Sequence, residues 1–295
     1  MTLLEIGDSL LLKGSPSTLF YRGDDTVYIV DPGHGKKRVK QIRKEIKGLD
    51  ASRLISIITH YHSDHHSAIS QGLRELLDKV MAPRLDAPAI RDPLIRVSLT
   101  FGMPLPSGDP LLPFHAPPID VDEGLDPGTL LGSLEIVDLA GHTPGQVGIL
   151  TPGGVLYAAD SIFGPRVLDT YGVPYHFNPC RALKTLEWLR DSLGDRFEIL
   201  VPSHGPLVRG GEAEALVESN LERVRGAGEA LLDILSEPRS VGEAAYLLAS
   251  RYSVSPSPER LMLIETAVKG YISCMRGTFE ASAGTRGVMW RTSKS

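Results

Sequence analysis

The sequence predicts an α/β domain over residues 1–210, followed by a mainly helical region over 211–295, and three observations carry that reading. In the first two thirds of the chain, short apolar and β-branched runs alternate with stretches whose apolar residues recur at helical spacing. Several of those runs end directly on a histidine or an aspartate. Beyond Gly211 the short runs give way to long helical patterns.

Taken in order, Ser9 to Lys13 and Ser17 to Arg22 read as strands, and Gly23-Asp24-Asp25 as a turn. Thr26-Val27-Tyr28-Ile29-Val30 reads as a β-branched strand that ends at Asp31. Asp31-Pro32-Gly33-His34-Gly35 can continue neither a strand nor a helix. Lys36 to Lys47 places Val39, Ile42 and Ile46 at helical spacing among basic residues, which predicts an amphipathic surface helix whose basic face is solvated. Leu54 to Thr59 is a buried strand. A helix is expected from about His66 to Lys79, with Ile69, Leu73, Leu76 and Leu77 on its buried face.

Between Pro83 and Pro127 prolines recur among apolar residues. The segment is too apolar for a flexible tether, so an ordered excursion over the active-site face is expected, with His115 in a structural role. Leu134 to Leu139, Val155 to Ala159 and Glu198 to Val201 are further short strands, and Arg181 to Leu193 is an amphipathic helix. In the last third, Leu216 to Leu235 and Leu261 to Met275 are long helices, and Glu280 to Arg291 is a glycine-turned hairpin. Ser240 to Ala245 resembles the opening of a short helix in a winged-helix-like unit.

A formal net charge of -5, with 42% hydrophobic and 23% charged residues, is ordinary for a globular chain and gives no sign of a nucleic-acid or membrane surface. Acidic and basic residues balance beyond Gly211 and no basic aromatic stripe appears, so no nucleic-acid partner is expected. The helical tail is expected to pack against the site or to make a homodimer. No apolar run reaches the roughly 18 residues of a membrane helix, and Met1 to Glu5 lacks the basic flank of a signal peptide, so a cytoplasmic location is expected. Cys180 and Cys274, far apart and without Cys-x-x-Cys spacing, read as reduced, buried thiols. Asn178 and Asn220 are the only asparagines, and Gln41, Gln71 and Gln146 the only glutamines; that scarcity, with many prolines, is a thermophile tendency.

The chemistry concentrates in Thr59-His60-Tyr61-His62-Ser63-Asp64-His65-His66. Imidazole nitrogen and carboxylate oxygen are ligands that zinc and similar borderline metals take. His60 and His62, two apart where a strand frays, leave on the same side, and Asp64 and His65 follow at the start of a helix. Later runs end in the same manner, at Ala140-Gly141-His142, at Asp160 and at Pro202-Ser203-His204. A sheet that presents one edge of strand ends to a shared site has this pattern.

With these residues in hand, the chain resembles the metallo-β-lactamase superfamily, in the branch of hydroxyacylglutathione hydrolase. His60-x-His62-x-Asp64-His65, His142, Asp160 and His204 match its ligand motifs in order and approximate spacing, and Asp31 matches its early aspartate after a strand. The resemblance covers about residues 1 to 210. It implies an αββα sandwich with two divalent metal ions at one edge, most often zinc, with iron or manganese as alternatives. His60, His62 and His142 would hold the first ion, Asp64, His65 and His204 the second, and Asp160 would bridge both; Asp31 would orient ligands. Asp64 stands where β-lactam-opening members usually have cysteine, which points to a small-molecule thioester, ester or lactone as substrate.

The same resemblance leaves two alternatives. One is a mononuclear iron dioxygenase acting on a persulfide, using His60, His142 and Asp160; the other is a phosphodiesterase or nuclease. Tyr175 and His176 lie where related enzymes place substrate contacts, although Tyr175 could equally be an ordinary core tyrosine. His34 could be loop structure or a donor to the ligands, and His66 reads as a helix-start histidine near solvent. The lysine and arginine signature by which that branch binds glutathione is missing from the C-terminal part.

Overall fold

The computed structural model describes residues 3–49, 52–103 and 116–293. In its first half, β1 (Leu4–Ile6), β2 (Ser9–Leu12), β3 (Thr18–Arg22) and β4 (Thr26–Val30) form an antiparallel meander. Helix α1 (Lys36–Ile46) crosses to β5 (Arg53–Ile57), which lies parallel to β4 with Ile57 opposite Val30. After α2 (Ser63–Ala68) come β6 (Lys79–Pro83), α3 (Ala87–Arg91), α4 (Pro93–Phe101) and β7 (Glu123–Leu125), and both strands extend the sheet in parallel. Parallel strands joined by crossovers end on the same edge. The loops that follow β4, β5 and β6 therefore leave the sheet together, and they carry Asp31, the histidine cluster and Asp86.

The second sheet contains β8 (Leu130–Leu131), β9 (Leu134–Asp138), β10 (Val147–Leu150) and β11 (Val155–Ala159). After α5 (Pro165–Tyr171) and α6 (Pro179–Ser192), β12 (Ile199–Pro202) returns parallel to β11, and β13 (Val208–Arg209) closes that edge. The chain ends in α7 (Gly210–Ile234), α8 (Val241–Arg251), α9 (Pro258–Cys274) and the hairpin β14 (Phe279–Gly284) to β15 (Gly287–Thr292). Ser240 caps α8 with a capping box, its hydroxyl accepting from the Glu243 N–H while the Glu243 carboxylate accepts from the Ser240 N–H.

Period-two alternation sorts the side chains into layers. On β4, Val27 and Ile29 face α1 and α2 in a cluster with Val39, Ile42 and Ala68, whereas Tyr28 and Val30 face the other sheet. Leu19, Ile57, Ile149, Tyr157 and Val201 fill the space between the sheets. The outer face of the second sheet is covered by α6 to α9 in one apolar cluster that runs from Leu156 and Leu200 to Leu221, Leu248 and Val268. The result is an α/β fold of two mixed sheets between helical layers, with a helical C-terminal region. Each fully buried aliphatic side chain in these layers contributes about 1.5–3 kcal/mol. Among the described residues, no helix is long and apolar enough to cross a membrane.

Several expectations are corrected. The helix anticipated from His66 to Lys79 stops early: α2 ends at Ala68, and the turns over Ile69–Leu73 and Arg74–Leu76 pass through Gly72 at φ 137°, which breaks the helix and leads into β6. The freed Gly72 carbonyl accepts from Arg43 Nε (3.0 Å) and Nη2 (2.6 Å). The basic face of α1 is not simply solvated either. Arg38 is buried and donates to the carbonyls of Leu12, Lys13 and Pro16.

Cys180 and Cys274 are not reduced thiols but form a disulfide, with Cα atoms 6.0 Å apart. Gly270 is the reason the two helices come so close: a Cβ there would stand 2.7 Å from the Phe177 carbonyl and 2.8 Å from Pro179. The proline-rich excursion contains α3 and α4, with Pro88 and Pro93 in the first turns, where proline is tolerated. Pro104, Pro106, Pro110, Pro113 and His115 lie outside the described residues.

Candidate metal centre

Strand β5 delivers the cluster. Past Ile57, the Ile58 N–H donates to the Met81 carbonyl (2.8 Å), and Thr59 turns toward Asp31, whose carboxylate accepts from the Thr59 N–H (2.8 Å) and hydroxyl (2.7 Å). His60 and His62 then point the same way, and Ser63 opens α2, which carries Asp64 and His65 in its first turn. Asp31 at φ 48° and Ala159 at φ 51°, just before Asp160, are both non-glycine residues in the left-handed region. Such a conformation costs about 1–3 kcal/mol and concentrates at functional sites.

Two groups of donors result. His60 Nε2 and His142 Nε2 lie 3.1 and 2.8 Å from His62 Nδ1. Beside them, Asp64, His65 and His204 converge: His204 Nε2 lies 3.2 Å from Asp64 Oδ2 and 3.3 Å from His65 Nε2. Asp160 stands between the groups. Its Oδ1 is 3.4 Å from His65 Nε2, and its Oδ2 is 3.6 Å from His142 Nε2 and 3.5 Å from His204 Nε2. Asp31, His60 and His65 also come within metal-ligating distance of one another.

The hydrogen bonds on the far side of four of the five rings show that the residues fit metal ions. His65 Nδ1 donates to Asp31 Oδ2 (2.8 Å), His142 Nδ1 to the Tyr175 carbonyl (2.7 Å), and His60 Nδ1 to the Thr59 hydroxyl (3.1 Å), which itself donates to Asp31. His204 Nδ1 is paired with Ser15 Oγ (2.6 Å). With the outer nitrogen protonated, the inner lone pair is left for a metal, as in carboxylate–histidine–metal arrangements. His62 is turned the other way, so that Nδ1 faces the group.

Electrostatics agree. Burial holds His60, His62 and His142 below the ordinary histidine value, in the neutral form a metal requires. Burial would also lower His65 and His204, but the carboxylates of Asp160 and Asp64 outweigh it and raise both. Burial would likewise raise Asp64 and Asp160, yet the surrounding imidazoles carry both below the usual carboxylate range. A cluster that draws protons onto two imidazoles is one that attracts cations.

Two supporting residues escape a reading of the sequence. Ser15, in the turn Gly14-Ser15-Pro16, holds the outer nitrogen of His204. Asp86 is buried and joins two ligand loops, accepting from the Tyr61 N–H (3.1 Å), the Thr143 hydroxyl (2.5 Å) and the Gly145 N–H (2.7 Å). Burial pushes its carboxyl up to about 6. Neither residue follows an apolar run with a histidine nearby, so no local pattern marks them.

A cavity of about 280 Å³ opens onto His62, Asp64, His142, Asp160 and His204. Its walls are largely apolar, with Phe163, Leu168, Val173, Leu263 and Ile264 prominent. Tyr175 lines it, its ring 5.3 Å from those of His62 and His142.

His176 is buried against His142 and Phe163, with burial lowering it to about 3, and does not line the cavity. His34 is exposed in its loop. His66 is not near solvent: it is fully buried, donates from Nε2 to the Tyr61 carbonyl (3.1 Å), and is lowered to about 3 by burial and by Arg96.

Comparison with known proteins is consistent with this architecture. Residues 12–204 match the family model described as the metallo-beta-lactamase superfamily. No curated protein sequence matches. Among solved structures, a metallo-beta-lactamase family protein from Thermus thermophilus is similar at TM-score 0.68 and 19% identity, over 96% of this chain and 94% of that one. A beta-lactamase domain protein from Burkholderia ambifaria aligns at TM-score 0.69 and 16% identity, over 99% of this chain and 93% of that one. A metallo-beta-lactamase from Pontibacter korlensis aligns at TM-score 0.55 and 16% identity, over 76% of this chain and 98% of that one. At these identities the likeness is one of fold. The first two extend over nearly all of the C-terminal helical region as well.

Proposed function

The chain belongs to the metallo-β-lactamase superfamily, and from that premise we propose that it is a two-ion metal hydrolase acting on a small thioester, ester or lactone. The observation that carries this reading is the placement of Asp160, whose carboxylate lies within 3.4 to 3.6 Å of imidazole nitrogens from both donor groups. His60, His62 and His142 would hold one ion, Asp64, His65 and His204 the other, and Asp160 would contact both. When bound, two divalent cations such as zinc supply Lewis acidity to the scissile carbonyl and lower the pKa of a water toward neutrality.

The chain's own residues set the stage for that chemistry. Asp31, Thr59, Ser15 and the Tyr175 carbonyl hold the rings of His65, His60, His204 and His142 in one tautomer and orientation. The apolar walls exclude water around the reacting group, which strengthens every charge interaction inside. The Tyr175 side chain lines the cavity, while its hydroxyl is buried beside Tyr61. A mononuclear oxygenase built on His60, His142 and Asp160 would leave Asp64, His65 and His204 without work, although they form a complete second donor group.

The test is turnover of a panel of thioester, lactone and phosphodiester substrates by zinc-loaded protein. Hydrolysis of at least one carbonyl substrate, lost on chelation and restored by zinc, supports the reading. Phosphodiester cleavage alone would transfer the protein to the phosphodiesterase alternative.

A further inference from the structure

Besides the metal-ligand set, the cavity wall carries one cationic side chain among the described residues, Arg260, in the first turn of α9. Helix α9 supplies Leu263 and Ile264 to the same wall, and it is held over the site by the Thr266 hydroxyl, which donates to the Thr100 carbonyl (3.0 Å). Arg260 is half-buried, and its one hydrogen bond among the described residues runs from Nη1 to the Ser255 carbonyl (3.2 Å). Other arginines of this protein meet carboxylates: Arg84 pairs with Asp126, Arg196 with Glu135 and Arg225 with Glu187. Arg260 has no such partner among the described residues, although it lines the cavity beside Leu263 and Ile264.

We infer that Arg260 makes this cavity selective for substrates whose apolar chain ends in a carboxylate. The scissile carbonyl would sit at the metal centre, the chain would lie along Phe163, Leu168, Val173, Leu263 and Ile264, and the terminal carboxylate would take the fork of Arg260. A cavity of about 280 Å³ is at the small end of ligand pockets and suits a small acyl chain. One guanidinium matches a carboxylate bidentately. A phosphate dianion would call for further donors, and among the described residues the wall offers neither lysine nor a second arginine. This selectivity presupposes the two-ion centre, because the ions would hold the other end of the substrate.

The test separates binding from turnover. Zinc-loaded protein is titrated calorimetrically with hydroxamates on an eight-carbon chain that end in a methyl, a carboxylate or a phosphonate group. The wild type is expected to bind the carboxylate form about tenfold more tightly than the methyl form, the order of a charge-assisted hydrogen bond. Arg260→Met should remove that preference and leave the methyl form bound as before, whereas Arg260→Lys should retain part of it.

Equal affinity for methyl and carboxylate forms, a preference that survives in Arg260→Met, tighter binding of the phosphonate, or no binding of any hydroxamate would each overturn the inference. If the carboxylate preference appears but no matching thioester is turned over, the hydrolase reading fails while the binding site stands.

Discussion

His65 Nδ1 donates to Asp31 Oδ2 at 2.8 Å, with both side chains fully buried. Asp31 also accepts from Thr59 and from the Tyr157 hydroxyl (3.2 Å), so it is held from three directions and in turn fixes the His65 ring. Asp31→Asn keeps the size of the side chain but cannot accept through both terminal atoms. It is expected to weaken metal affinity about 10- to 100-fold, the usual cost of losing a partner behind a ligand. Metal competition against a chelator measures it; wild-type affinity in Asp31→Asn would show that the contact does not orient the ligand.

Ser15, His204 and Asp64 lie in a row, Oγ to Nδ1 at 2.6 Å and Nε2 to Oδ2 at 3.2 Å. Such a row resembles a serine nucleophile with its base and orienting carboxylate, but in a metal centre Ser15 only accepts from the outer nitrogen of His204. Ser15→Ala is therefore expected to lower zinc affinity several-fold and to recover near wild-type turnover at saturating zinc. Complete loss of turnover that zinc cannot restore would make Ser15 a nucleophile.

His66 is buried in the neutral form at about 3, far below the 6.5 of an exposed histidine. A folded-state pKa below the unfolded one means that the unfolded chain binds the proton first. The stability tied to the neutral ring is thus full above about pH 6.5 and is lost as the pH falls toward 3. By pH 5 the loss from this one group is about 2 kcal/mol. In metal-free protein, the fall in melting temperature between pH 7 and pH 5 should be smaller for His66→Gln than for the wild type. An identical fall in both would show that His66 does not carry the dependence.

The disulfide joins Cys180 and Cys274 across 94 residues. Closing a loop of that size in the unfolded chain stabilises by roughly 4.7 kcal/mol in the chain-entropy account. Denatured, unreduced protein should show no free thiol, and reduction should lower the melting temperature. Two reactive thiols before reduction would contradict the bridge.

Legibility in the sequence followed locality. β4, β11 and the ligand-bearing strand ends could be read because β-branched runs and the residues after them are neighbours in the chain. Asp64 and His65 could be placed at a helix start for the same reason. β6 and the break at Gly72 could not, because the apolar spacing through Leu76 and Leu77 continues a helical pattern that only a left-handed glycine interrupts. Asp86, Ser15, Arg260 and the disulfide act across 25 or more residues, or on walls assembled from several elements, and leave no mark on local pattern. The burial of His66 is likewise a consequence of Tyr61 and Arg96 closing over it, which spacing does not encode.

The central claim is that two donor groups, joined by Asp160, hold two ions. Metal analysis of the purified wild type and of Asp160→Ala tests it most directly. The account predicts about two zinc or mixed divalent ions per chain in the wild type, and loss of at least one, together with hydrolysis, in Asp160→Ala. A single iron per chain with oxygen consumption on a persulfide, or full metal content and turnover in Asp160→Ala, would contradict it.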